Sequence, residues 1–574
     1  MKRNKTIKYI MTVMALLIST GLITACNEND YKNYQSEKIM ISNSSPQESS
    51  KGNEIDPFGK YITPIDISFI RGIDEDFAQN VLPKTPGETI QDNRWLKVYK
   101  DELGINVKYA WTVRGNEVSD QFTQKINVTL ASGDLPDVIL VNSNQLRQLV
   151  DAKQVEDMTE YFDRYAAPFT KEIYNQESSE TLDSATIDGR LMAIPEPYSY
   201  AEAAHYLWIR NDWLKNLGLE APKSMEDLLE ISQAFTNQDP DRNGKHDTHG
   251  LAITKDLYGG TMTIEGFFAG YHSYPNMWIE DHSDRLVWGS TLPETKKVLS
   301  KLAEMYKSGQ IDSEFSVKDG SKVAEAIAKG EVGIVFGAQW SPMYPLINSF
   351  NNDNNADWTG YPLVSADNNK VMVPLKYNQT RIFAVKKGYP HPEALVKLIN
   401  MHLEKNWGKT ADFNKFFMPA ENDGAGVWKF SPVVPTPPYK NLNAFLEIEK
   451  ARKNNSFSNL NGEAKAIQSN LDAYASGDKS KWGWEKIYGI SGVMGIMKSY
   501  KANGQLLPEK FVGASTNTMA EKKAAMDMME REVFTKIIMG ESPIEEFDKF
   551  VADWYEIGGE EITEEVNSWY DLIK

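Results

Sequence analysis

One cysteine, Cys26, serves a chain of 574 residues, and a lone thiol cannot close an intramolecular disulfide. The fold must therefore be held by packing, hydrogen bonds or a bound ion rather than by covalent staples. The position of that cysteine narrows the possibilities further. Residues 1–8 carry Lys2, Arg3, Lys5 and Lys8 with no carboxylate, residues 9–23 are apolar, and Thr24 and Ala25 precede the cysteine. That order is a secretory leader with its cut before Cys26. About fifteen apolar residues fall short of the ~20 a spanning helix needs. The remainder has room for about two to four domains. Lys and Arg number 62 against 80 Asp and Glu, a formal net charge of −18, which disfavours nucleic acid and anionic lipid headgroups as general partners. With 14 Trp, 26 Tyr and 23 Phe, the chain can furnish an aromatic ligand surface as well as a core.

The string Leu22-Ile23-Thr24-Ala25-Cys26 resembles a bacterial lipobox. The resemblance implies that residues 1–25 are a lipoprotein signal peptide and that Cys26 becomes a lipid-modified (diacylated, palmitate-bearing) first residue. An ordinary leader with an incidental cysteine is the alternative. Residues 26–60, rich in Asn, Ser, Glu and Lys and without a helical or strand period, read as a flexible tether. The expected location is extracytoplasmic, at the cell membrane through the lipid anchor.

Beyond residue 62 the patterns alternate. Residues 65–70 are β-prone, 94–103 have mainly helical spacing and stop at Gly104, and 105–111 read as a strand. Val118, Phe122, Ile126 and Leu130 make an i, i+4 stripe closed by Gly133, and Val138–Val141 is a continuous apolar run. This predicts an α/β lobe with a largely parallel sheet. A second set follows: a strand at 206–209, a helix ended by Gly218, and a capping-box start at Ser224 to Asp227. Helices at 293–307 and 321–329, a buried strand at 332–336 and a strand-like segment at 382–385 come next, with an acidic helical tail beyond 520. The reading is two α/β lobes with extra C-terminal helices.

The sharpest local signal is Asp239-Pro240-Asp241-Arg242-Asn243-Gly244-Lys245-His246-Asp247. Oxygen side chains stand at positions 1, 3, 5 and 9 with glycine at 6, the spacing of a calcium loop, and Lys245 at position 7 needs only its carbonyl. Position 12 is Gly250, so the bidentate glutamate of an EF-hand is missing and Asp247 must supply the second anchor. A polar turn after the preceding helix is the alternative. His246 and His249 form an H-x-x-H, better read as incidental in a chain with seven histidines and no H-E-x-x-H.

Together the lipobox, Ala131-Ser132-Gly133-Asp134-Leu135-Pro136-Asp137, Trp208-Ile209-Arg210-Asn211-Asp212-Trp213-Leu214, the loop running from Asp239 to Leu251 and the aromatic-acidic tail resemble the family 1 extracellular solute-binding proteins. The resemblance is strongest to large lipoproteins of carbohydrate importers of the ABC type, including alginate-oligosaccharide binders, and runs from about residue 62 to the C-terminus. It implies a two-lobed periplasmic-binding-protein-like fold of type II, with ligand between lobes that close on it. The lobes fall at 62–195 plus 378–435 and at 200–375 plus 436–574. It also implies a structural Ca2+ held by Asp239, Asp241, Asn243, the Lys245 carbonyl and Asp247. Thr248 stands where the alginate binders carry a further carboxylate.

Ligands of open α/β sheets bind beyond the carboxyl ends of strands, and two-lobed proteins bind between their lobes. The rule selects Trp111, Asn142, Ser143 and Trp340 after strands, Tyr198, Tyr200, Asn378 and Arg381 at crossings, and Trp482 and Trp484 in a Gly/Trp-rich stretch. For each aromatic residue core packing is the competing role, and for Arg381 an interlobe ion pair. Trp213 and Trp554 fit core positions on amphipathic helices. Rings suit the C–H faces of sugars, and Asn and Arg suit their hydroxyls. The expected function is capture of an oligosaccharide by a monomer that delivers it to an ABC permease without chemistry. A carbohydrate-active enzyme, or a binder of peptide or another solute, is the alternative. No G-x-S-x-G, nucleophilic cysteine or zinc motif is present.

Overall fold

The computed structural model describes residues 55–574 apart from 117–118, 177–179, 198–199, 377–380 and 423. Cys26, the leader and most of the tether lie outside the described residues, as do Tyr198 and Asn378.

The chain builds its first core from Ile65–Ile73 paired parallel with Ile105–Arg114. Between them, buried Asn93 starts the helix Arg94–Val98 by accepting the N–H groups of Trp95 and Leu96, and Gly104 ends the following turn at φ +70°. Glycine suits that left-handed stop because it has no Cβ to clash. The helix Asp120–Ser132 opens on Ser119 and stops at Gly133. All four residues of Val138–Val141 are buried, and this strand pairs antiparallel with Ile382–Val385, which also pairs with Ile194–Pro195. One sheet thus joins segments far apart in the sequence. Buried apolar residues drawn from 67–194 and 382–433 form a single cluster here.

A second cluster takes residues from 201–375 and 442–566. At its centre Tyr206–Arg210 lies antiparallel to both Val332–Gly337 and Trp358–Tyr361, and His249–Leu251 pairs parallel with Val332–Gly337. The expectation of a largely parallel sheet in the first lobe is corrected here: Ile65–Ile73 and Ile105–Arg114 do pair in parallel, but the three-stranded sheet of that core is antiparallel. An apolar run reports burial on both faces, not strand direction, and direction depends on where the chain crosses between cores. Ser224 and Asp227 form the expected capping box on Met225–Asn237, and Trp213 and Trp554 are buried as expected. The chain ends in the helices Asn517–Met539, Glu546–Trp554 and Glu560–Ile573. Among the described residues, no helix is long and apolar enough to cross a membrane.

Three stretches pass between the clusters, and Glu196 ties them together. Its carboxylate is 4% exposed as a residue, accepts from Arg381 Nε at 2.6 Å, and also accepts the Val434 N–H. Its own N–H donates to the Arg381 carbonyl at 2.9 Å, and Thr436 N–H donates to the Pro197 carbonyl at 3.1 Å.

Candidate functional site

Trp340 emerges three residues beyond the strand Val332–Gly337 and is 37% exposed, unlike most tryptophans of the second core. Its indole lies on the backbone of Gly260, where a Cβ would come within 2.4 Å of the ring. The ring therefore borders a cavity of about 870 Å³ together with Trp484, Phe413 and Phe417. Phe413 and Phe417 belong to the segment after Glu393–Trp407 and stack at 4.8 Å, while Trp484 stacks on Tyr488 at 5.8 Å. Residues next to both cores thus furnish the aromatic lining.

Polar groups complete it. Lys440 Nζ pairs with Glu463 at 2.8 Å, Trp407 Nε1 donates to the same carboxylate at 3.2 Å, and the Asn441 amide donates to Glu202. Burial raises the pKa of Glu202 above the usual carboxylate range, against the pull of Lys440. Gln339 is 3% exposed, lines the cavity, and has an unpartnered buried Oε1. A buried acceptor left without a partner costs about 1–3 kcal/mol.

A second cavity of about 350 Å³ is bordered by Ser143, Tyr258, Trp288, Lys376 and Glu530. Glu530 is 3% exposed and accepts from Ser290 Oγ at 2.8 Å, the Tyr258 hydroxyl at 3.0 Å and Trp288 Nε1 at 3.2 Å. Burial raises its pKa, and it raises that of the Tyr258 phenol as well, with Glu530 adding to the latter. Lys523 sits over the Trp288 ring at 4.8 Å. Flat apolar faces beside fixed donors and acceptors can pack sugar C–H surfaces and replace the water lost from hydroxyls.

The expected ligand residues separate on inspection. Trp340 and Trp484 come together in the larger cavity, and Ser143 borders the smaller. Asn142 caps the helix Ser143–Asp151 through a reciprocal bond with Gln145. Trp111 donates to Thr129 Oγ1 at 3.1 Å and meets Phe122 edge-on. Arg381 takes the competing role, the ion pair with Glu196. Trp482 is a core residue, 2% exposed and stacked on Phe350 at 4.9 Å. Tyr200 opens the short turn Tyr200–Ala203. Gln339, Phe413, Phe417, Tyr258 and Glu530 were not anticipated. The aromatic pair four residues apart after Asp412 was a visible signal, whereas nothing local marked Glu530.

The loop from Asp239 to Asp247 is tied together by its own polar groups. Asp239 accepts the N–H groups of Asn243 and Gly244 at 3.0 and 3.1 Å, and the Asn243 amide reaches Asp241 at 2.7 Å and Asp247 at 3.2 Å. The acid of Asp241 is shifted up by burial, and by the neighbouring charges of Asp247 and Asp239. Thr248 turns inward and donates to the Phe235 carbonyl at 2.7 Å. His249 meets the Gly309 carbonyl at 2.9 Å. Among the described residues no group of three His, Cys, Asp or Glu is arranged to hold a metal ion. The donor set itself is all oxygen, the chemistry of a hard cation.

Comparison with known proteins follows the same lines. A family model for bacterial extracellular solute-binding proteins matches residues 86–407. The lipoprotein LipO of Bacillus subtilis (strain 168) is 25% identical over 255 residues, covering 44% of this chain and 47% of LipO. The fructooligosaccharide ABC transporter substrate-binding protein FusA of Streptococcus pneumoniae serotype 4 (strain ATCC BAA-334 / TIGR4) is 30% identical over 269 residues, covering 43% of this chain and 45% of FusA. The chain therefore spans just under half the length of these curated relatives. The crystal structure of the alginate-binding protein AlgQ2 without calcium ion matches with a TM-score of 0.58 at 16% identity, covering 90% of this chain and 100% of that one. The fold is accordingly the α/β, two-lobed periplasmic-binding-protein-like type expected from the sequence.

Proposed function

Because this chain belongs to the family of bacterial extracellular solute-binding proteins, we propose that it is a lipid-anchored receptor that captures an oligosaccharide and passes it to an ABC permease. The observation that carries this reading is the cavity of about 870 Å³ whose aromatic rings come from segments next to both cores. A ligand touching Trp340 and Trp484 on one side and Phe413 and Phe417 on the other stabilises the arrangement in which both sides reach it. Binding then shifts the population toward a closed form. The lobes correspond to 62–195 plus 378–435 and 200–375 plus 436–574, hinged where Glu196, Arg381 and Val434 meet. The similarity to FusA and LipO supports sugar import and lipid anchoring, with Cys26 as the acylated residue.

Titration of tryptophan fluorescence with a panel of oligosaccharides and peptides tests the reading. Saturable binding of a sugar without cleavage of it on long incubation is expected; turnover, or binding confined to peptides, rejects it. Replacing Cys26 with Ser should release the protein from the membrane fraction of its host. Calcium is proposed as a structural ion held by Asp239, Asp241, Asn243, the Lys245 carbonyl and Asp247, neutralising carboxylates that otherwise repel one another. Chelator should lower the melting temperature and calcium restore it, and Asp239→Asn should abolish that difference.

A further inference from the structure

The helix Asn517–Met539 lines the smaller cavity with Lys523, Asp527, Glu530 and Arg531, whose spacing puts them along one helix face. Lys523 and Asp527 pair with each other at 2.6 Å, and Arg531 pairs with Asp256 at 3.7 Å. Glu530 instead gathers donors from two separate stretches of chain. The Tyr258 hydroxyl and Ser290 Oγ share its Oε1, and Trp288 Nε1 takes its Oε2. Ser290 carries the connection one step further. Its oxygen accepts the Asn276 N–H at 2.6 Å, which leaves its proton for the carboxylate. Asn276 stands at φ +59°, in the left-handed region that asparagine enters more readily than most residues.

Tyr258, Asn276 and Trp288 all border the cavity, so one buried carboxylate holds much of its wall. Groups able to meet a ligand surround that wall. The Asn276 amide, the Lys376 ammonium and the hydroxyls of Ser143 and Ser515 belong to half-buried residues bordering the same space. None of these four side chains makes a hydrogen bond or ion pair among the described residues. Ser143 opens a helix packed into the first core, whereas the helix bearing Glu530 packs into the second. The cavity therefore has walls from both cores, as the larger one does. Tyr258 also lies two residues from Gly260, the seat of the Trp340 ring.

We propose that Glu530 is a positioning residue of the oligosaccharide site. The proposal rests on the oligosaccharide reading above and extends it to the smaller cavity. A sugar unit there lies against the Tyr258 ring, with hydroxyls on Asn276 and Lys376. Glu530, itself 3% exposed, acts through Tyr258 and Asn276 by fixing where they stand. A carboxylate suits this task because it only accepts, on two oxygens with about four lone-pair sites. An amide of the same length has one accepting oxygen, and its NH2 sets a donor against one of the three donors. An aspartate is a methylene short. The C-terminal helix is thereby part of the binding site rather than an outer brace.

The test uses the full chain and calorimetric titration. The probe is the tightest binder among nystose, cellotetraose, maltotetraose, xylotetraose and tetragalacturonate. Glu530→Gln is expected to weaken it about tenfold, the scale of a lost hydrogen bond to a charged group. Tyr258→Phe keeps the ring but not the bond, and should weaken it about threefold or more. The double variant should lose less than the product of the two losses, because both act through one contact. Ile538→Ala, buried on the same helix about two turns further on, should lower the melting temperature and leave affinity unchanged. Should Glu530→Gln fail to fold, Tyr258→Phe and Ser290→Ala decide, each expected to bind more weakly at a near-unchanged melting temperature. Wild-type affinity in Glu530→Gln or Tyr258→Phe, losses that multiply in the double variant, or an equal loss in Ile538→Ala overturns the proposal and leaves oligosaccharide capture standing. Binding of none of the five sugars removes the underlying reading and the proposal with it.

Discussion

Trp340 and Trp482 are indistinguishable by residue type, and both follow glycine-containing segments, yet one borders the cavity and the other fills the core. The difference lies in what each ring rests on: Gly260 for Trp340, Phe350 for Trp482. Removing the two rings should therefore read out differently. Trp340→Ala is expected to weaken the oligosaccharide about tenfold or more with little change in unfolding midpoint, since stacked aromatic faces contribute ~0.5–1.5 kcal/mol beyond buried area. Trp482→Ala is expected to cost ~3–5 kcal/mol of stability, as large-to-small changes of buried aromatics do, with affinity altered only through the fold. Urea denaturation and fluorescence titration of both variants separate these outcomes. Gly260→Ala offers a finer check, because the added methyl would meet the Trp340 ring within 2.4 Å. Affinity should fall while the fold persists, and unchanged affinity would contradict the role assigned to this contact.

The helices and strands were largely legible one at a time. The stops at Gly104 and Gly133, the capping box at Ser224 and Asp227, and the buried run Val138–Val141 follow from local rules. The helix Glu393–Trp407 shows where such rules end, for it buries His402 and Asn406 along with its apolar residues. His402 stacks on Trp95 at 4.6 Å, and burial alone lowers its pKa to about 3. The unfolded chain binds a proton there near pH 6.5 and the native helix does not, so stability is full above that pH and falls as pH drops toward 3. The slope is at most about 1.4 kcal/mol per pH unit. Unfolding free energies measured from pH 7 to pH 4 should show this loss, and His402→Gln should flatten it; an identical slope in both proteins would place the pH dependence elsewhere.

On the scale of the whole molecule, Glu196 is the point on which the crossings depend. Glu196→Gln keeps an acceptor for the Val434 N–H but removes the charge opposite Arg381. A charged, mostly buried hydrogen bond contributes ~1.5–3 kcal/mol, so a loss of about 2 kcal/mol is expected in denaturant titration. Small-angle scattering should show compaction on adding oligosaccharide, with the ligand-free radius altered in Glu196→Gln if this knot sets the resting angle between the lobes. The sequence by itself determined the alternation of strands and helices, the caps and stops, and the restriction to a fold without disulfides. These depend on neighbours a few residues away. Only the tertiary structure decided strand direction, the return of Ile382–Val385 to pair with Val138–Val141, the ion pair of Arg381, and which rings face a cavity. Those outcomes depend on groups brought together from distant parts of the chain, and a local pattern carries no record of which partner a side chain will meet.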